Sequence, residues 1–177
     1  MRSARKISRP GETYFLTSRR WERRSLFLNH TWADVFLENL LRYRGRAYRL
    51  QEYVLMPEHF HVLITPRVSL ERALHFIKGG FSFRAKKELR SSKEVRQAGF
   101  SDHRIRGVDD HANHAGHIHC NPAGRKLVEL ASRYPYCSAY RTGIKDEISQ
   151  RLEPLPEIAT NGASEDTPPK TRTESWS

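Results

Sequence analysis

Cysteine is almost missing from this chain: Cys120 and Cys137 are the only two in 177 residues. They stand at no zinc-type spacing, and two thiols make no disulfide framework, so a reduced, cytoplasmic setting is expected. Long apolar runs are missing as well, which speaks against a membrane span, and the first residues lack the pattern of a signal peptide. No internal repeat is visible, so solenoids and propellers are not expected. The hydrophobic fraction, 37%, is low but supports one core of ~120–140 ordered residues with loose ends.

Acidic residues are short relative to basic ones. Lys and Arg number 31 against 20 Asp and Glu, a net charge of +11. Residues 151–177 carry three basic and five acidic side chains, so that stretch is −2 and residues 1–150 carry +13. A body this basic points to a polyanion, most often nucleic acid; a merely solvated basic surface is the plainer reading. Residues 1–11 read as a flexible basic arm, 12–145 as the folded domain, and 146–177, polar and holding Pro154, Pro156, Pro168 and Pro169, as a disordered tail.

Within the domain, Thr13–Ser18 has strand composition. Arg19, Arg20, Arg23 and Arg24 follow, with Trp21 among them, a combination suited to phosphates and an unstacked base. Thr31–Tyr43 predicts a helix capped by Thr31, with Phe36, Leu37, Leu40 and Leu41 on one face. Tyr48–Met56 predicts a strand that turns through Pro57-Glu58 and pairs antiparallel with the next. Ser69–Arg90 predicts a second helix capped by Ser69. Leu70, Ala73, Leu74, Ile77, Phe81, Ala85 and Leu89 should face the sheet, while Lys78, Arg84, Lys86 and Lys87 make a basic outer face. Gly79-Gly80 marks either a kink or a close backbone approach. Residues 91–108 read as a loop or short hairpin, and Asp109–Cys120 as a third helix closing near Asn121-Pro122.

The chemistry gathers on Glu58-His59-Phe60-His61-Val62-Leu63-Ile64. Strand alternation sends His59, His61 and Leu63 to one face and Phe60, Val62 and Ile64 to the other. Two imidazoles two residues apart can share one metal ion; on their own they can equally be polar side chains of a half-exposed strand. In the third helix, His117 and Asn121 are four apart and lie on one face, one turn from each other.

Met-Pro-Glu-His-Phe-His-Val-Leu-Ile, then Ile-Lys-Gly-Gly-Phe-Ser, Gly-Phe-Ser-Asp-His-Arg-Ile-Arg, Ile-His-Cys-Asn-Pro and Tyr-Pro-Tyr-Cys-Ser-Ala follow one another over residues 10–142. This series resembles the single-tyrosine, His-hydrophobic-His transposases, and among them the REP-associated tyrosine transposases. The resemblance implies an α+β, ferredoxin-like fold, with an antiparallel sheet and helices packed against it. It implies a Mg²⁺- or Mn²⁺-dependent enzyme that cuts and rejoins single-stranded DNA at hairpins, working as a monomer or homodimer. His59 and His61 would hold the ion with Asn121, and Arg19, Arg20, Arg23, Arg24, Lys78, Arg84, Lys86, Lys87, Arg104 and Arg106 would contact DNA.

The chain departs from the family at the nucleophile. The family pattern Tyr-Ile-His-x-Asn-Pro reads here His117-Ile118-His119-Cys120-Asn121-Pro122, and Arg96 stands where tryptophan is expected. Three readings are open at His117: a decayed copy that binds without strand transfer, a histidine nucleophile forming a phosphoramidate, or a relocated Tyr134, Tyr136 or Tyr140. The function classes are accordingly an active single-strand transposase and a hairpin-binding protein without turnover. RNA binding fits the charge but leaves the histidine strand unexplained.

Overall fold

A computed structural model describes residues 11–18, 25–91 and 99–147. The expected basic arm up to residue 10, the Arg19–Arg24 cluster, Arg96 and the tail beyond residue 147 lie outside the described residues.

Seven principal elements follow one another: β1 (Tyr14–Ser18), α1 (His30–Arg42), β2 (Tyr48–Leu55), β3 (Phe60–Pro66), α2 (Leu70–Glu88), β4 (Phe100–Arg104) and α3 (Val108–Gly124). The strands form one antiparallel sheet in the order β2-β3-β1-β4. With a helix after β1 and another after β3, this is the ferredoxin-like βαββαβ arrangement, followed here by α3.

The two faces of the sheet have separate apolar layers. Leu16, Phe60, Val62 and Ile64 pack with Phe36 and Leu40 of α1 and Ile77 and Phe81 of α2. Val54, Met56 and Leu63 pack on the other face with Ile118 of α3, Ile105 and Cys137. The sheet is therefore covered on both faces, and β3 is buried along its whole length.

Local chemistry accounts for most element ends. Ser69 caps α2 by accepting the Arg72 N–H at 3.2 Å. At α1 the cap is Asn29 rather than Thr31: its side chain accepts the Thr31 N–H, and the helix starts two residues earlier than expected from composition. Asp146 holds the start of β2, where Leu50 N–H donates to its carboxylate at 2.8 Å. Residues 91–108, expected as a loop or hairpin, contribute the edge strand β4. The third helix continues through Pro122 to Gly124, past its expected end. Proline there removes the hydrogen bond to the Ile118 carbonyl and crowds that carbonyl, and the helix ends two residues later.

At Gly80 the double glycine in α2 marks a close approach within a continuous helix. A Cβ on Gly80 would stand 2.6 Å from Asn39 Oδ1 of α1, and Asn39 Nδ2 donates to the carbonyls of Phe76 and Ile77. Helix α1 thus sits close enough to α2 to bond its backbone.

Candidate functional site

β3 and α3 meet at a concave pocket of about 480 Å³ lined by Thr17, His59, His61, His117, Cys120, Asn121, Gly124 and Arg125. His59 precedes β3 and His61 lies within it. Their Nε2 atoms are 3.0 Å apart and their rings are nearly perpendicular. From α3, the His117 ring centroid is 5.2 Å from that of His61. One turn on, Asn121 Nδ2 lies 3.5 Å from His117 Nε2. The structure thus gathers His59, His61, His117 and Asn121 at one place.

β1 shapes this pocket through residues that the sequence pattern had not singled out. Thr17 pairs with His61 in the sheet register, and its Oγ1 lies 2.9 Å from His61 Nδ1. Phe15, two residues earlier on the same face, stacks on the His61 ring at 5.4 Å with an 8° interplanar angle. Which residues of β1 face the pocket follows from its pairing with β3, a long-range fact that composition does not carry. Cys120, Gly124 and Arg125 were more accessible to reasoning, since 117, 120, 121 and 124 share one helical face.

Burial, and after it the charges of His59, His117 and Arg125, pull the His61 imidazole down to about 3, so it is neutral at physiological pH. When its Nδ1–H donates to Thr17 Oγ1, Nε2 keeps a lone pair on the pocket side. Two imidazole nitrogens 3.0 Å apart are spaced as adjacent ligands ~2.1 Å from one octahedral centre. The neutral His61 ring, the His59 nitrogen beside it, the Thr17 hydroxyl behind His61 and a nearby amide therefore fit a divalent cation.

The expected DNA contacts divide differently. Arg84 is committed to Glu38 and Glu88, both at 2.7 Å, and to the Val35 carbonyl at 3.3 Å, which ties it to α1 instead of the outer face. Lys78 lies over the Phe100 ring at 4.2 Å, and burial lowers its ammonium to about 8. Arg104 pairs with Glu12 at 2.8 Å, and the Arg106 N–H donates to Asp110. Lys86 and Lys87 are exposed at the end of α2, in the layer across the sheet from the imidazoles.

Two of the three tyrosines near the C-terminal side hold hydrogen bonds elsewhere. The Tyr134 hydroxyl donates to the Leu55 carbonyl at 2.9 Å, and burial raises it to about 12. The Tyr136 hydroxyl lies 3.2 Å from Asp34 and 2.9 Å from His30 Nδ1, on the α1 side. Tyr140 is exposed.

A ferredoxin-like sheet that offers a His-hydrophobic-His strand to a helix carrying His117 and Asn121 has the organisation that the resemblance to the His-hydrophobic-His transposases implies. The chain resembles the REP-associated tyrosine transposases, and with them the transposase class of enzymes. It is 26% identical over 151 residues to the REP-associated tyrosine transposase of Escherichia coli (strain K12), covering 82% of this chain and 84% of that protein. A solved structure of a REP-associated tyrosine transposase bound to a REP hairpin superposes with a TM-score of 0.66 at 24% identity. That alignment spans 99% of this chain and all of the other, and it bears out the ferredoxin-like fold. No protein-family model matches the chain. Among the described residues, no helix is long and apolar enough to cross a membrane.

Proposed function

We propose that this protein binds hairpin-bearing single-stranded DNA and holds a divalent cation, Mg²⁺ or Mn²⁺, on His59, His61 and Asn121, in a transposase-like site whose nucleophile position is His117. The observation that carries this reading is the meeting of β3 and α3: Nε2 atoms 3.0 Å apart, with His117 and Asn121 facing them. The likeness to the Escherichia coli transposase and to a structure bound to a REP hairpin supports a hairpin DNA substrate.

The bound ion would polarise the scissile phosphate and offset charge on its oxygens. Thr17 orients the His61 ring, and Phe15 keeps water off its face. Arg125, which lines the pocket, would neutralise a phosphate held there, and Arg19, Arg20, Arg23 and Arg24, outside the described residues, are proposed as further DNA contacts. A tyrosine at position 117 would bond its phenolate oxygen to phosphorus while the P–O3′ bond breaks and the 3′ oxygen leaves as a hydroxyl. The imidazole now in that place leaves the binding half of the site without this nucleophile. Tyr134 and Tyr136 spend their hydroxyls elsewhere, which leaves the exposed Tyr140 as the relocated tyrosine to test.

The test uses labelled single strands with hairpins taken from DNA flanking the gene, incubated with Mg²⁺ or Mn²⁺ and resolved on denaturing gels. The native chain is expected to bind with little or no cleavage, and His117→Tyr to form a covalent 5′-phosphate adduct. Robust native cleavage that disappears in His117→Ala would replace this reading with a histidine nucleophile. Failure of both proteins to bind any hairpin would overturn it.

A further inference from the structure

Beyond the pocket, α3 and β4 bring together three more side chains with ligand chemistry. His103 Nε2 lies 3.0 Å from Asp110 Oδ2, and His114 Nδ1 lies 3.1 Å from Asp110 Oδ1. The three potential ligand atoms all lie within 4.8 Å of one another. We propose that His103, Asp110 and His114 form a second divalent-cation site, of a class suited to a first-row transition ion such as Zn²⁺, separate from the His59–His61 pair.

Chemistry selects the ion class. Two imidazoles and one carboxylate are borderline donors that favour Zn²⁺, Co²⁺ or Ni²⁺ over Mg²⁺, which prefers oxygen ligands. The carboxylate is divided between the two rings, one oxygen to each, as a shared third ligand would be. Its charged form is favoured: burial opposes it, but the Arg106 N–H and His103 outweigh burial and hold the Asp110 carboxyl below its ordinary value. The His103 and His114 rings stack at 4.8 Å and 19°, so one ring would turn about its Cβ–Cγ bond for both nitrogens to meet a shared ion. In the cation-free arrangement His114 Nδ1 donates to the Asp110 carbonyl at 2.8 Å. Ligation would exchange that proton for the ion and move it to Nε2 or to solvent.

The three side chains sit on regular elements. His103 sits opposite Phe15 in the β1–β4 register, and Asp110 and His114 occupy successive turns of α3. His103 is 47% exposed, which leaves room for water to complete a coordination shell. The Phe15 ring stands between the two sites, 5.4 Å from His61 and 4.5 Å from His114. An ion here would clamp β4 to the first two turns of α3, one turn ahead of His117, and so fix the helix that faces the pocket.

Titration calorimetry with ZnCl₂ on the EDTA-stripped full chain tests this assignment. The native chain is expected to bind two equivalents. His59→Ala/His61→Ala should keep one, and adding His103→Ala/His114→Ala should abolish it. Asp110→Asn keeps a side-chain oxygen for the Arg106 N–H, and in the His59→Ala/His61→Ala background it should weaken the retained equivalent at least tenfold. Zn²⁺ should raise the melting temperature of His59→Ala/His61→Ala but not of the four-fold variant. A folded His59→Ala/His61→Ala chain that binds no zinc would overturn the proposal, as would a retained equivalent indifferent to all three substitutions. If instead the His59–His61 pair takes no ion, the native chain binds one equivalent and His103→Ala/His114→Ala loses it.

Discussion

Single side chains decide what the two histidine clusters can hold. His61 is buried, neutral and turned by Thr17, so its readiness for a cation depends on a hydroxyl outside the ligand set. Thr17→Val keeps the shape of β1 and removes only that hydroxyl. It should weaken Mn²⁺ binding at the pocket ~10–100-fold, measured by electron paramagnetic resonance, with an unchanged far-UV spectrum. Glu52 plays a structural part on the same sheet face. Burial works against its charge, but His119 and Lys145, each at 2.8 Å, together with Ser138, hold it below its ordinary 4.5. A carboxylate with a depressed folded-state pKa contributes stability above its unfolded value and loses it as pH falls through the folded value. Glu52→Gln should therefore cost about 1–3 kcal/mol at pH 7, and the gap to the native chain should close as pH drops below 4.5 in denaturant titrations.

Among the elements, the two glycines of α2 make a controlled comparison. Each costs a helix interior about 1 kcal/mol against alanine, so both substitutions start with the same propensity gain. On Gly79 a methyl would meet the His75 ring at 3.2 Å, and that ring is exposed and can turn away. On Gly80 it would meet Asn39 Oδ1 at 2.6 Å, and Asn39 is fixed by two backbone carbonyls. Gly79→Ala is expected to raise thermal stability by about 0.5–1 kcal/mol, and Gly80→Ala to lower it by about 1–3 kcal/mol. Differential scanning calorimetry on both variants checks the sign. Periodicity made α2 and the β2–β3 hairpin readable because their patterns are long and local. It could not separate a kink from a close approach at Gly80, since that depends on the neighbouring helix. It also missed the irregularity in β2 between Leu50 and Glu52. That shift turns Glu52 to the α3 side, where it meets His119, so a simple alternation count puts it on the wrong face.

At the scale of the molecule, the sheet separates two layers. His59 and His61 were legible because a two-residue period fixes their common face. The approach of α3, and with it Thr17, Phe15 and Arg125, emerges only from the order β2-β3-β1-β4 and from the layer that α3 joins. The same geometry bears on the proposed DNA surface. The basic end of α2 lies across the sheet, Arg84 is consumed by Glu38 and Glu88, and Arg125 stands at the pocket. On the proposed reading, a single strand in the pocket would lie beside Arg125, whereas Lys86 and Lys87 would act through the general field of the basic body. Each phosphate neutralised by a cation contributes ~0.7 to the slope of log affinity against log salt for single strands. Arg125→Ala should therefore lower affinity for a hairpin with a single-stranded extension and reduce the slope by about that amount. Lys86→Ala/Lys87→Ala should leave the slope within error, although it removes twice the charge. Fluorescence anisotropy between low and moderate salt distinguishes them. A larger slope change in the lysine pair than in Arg125→Ala would place the strand on the α2 layer and detach DNA binding from the histidine pocket.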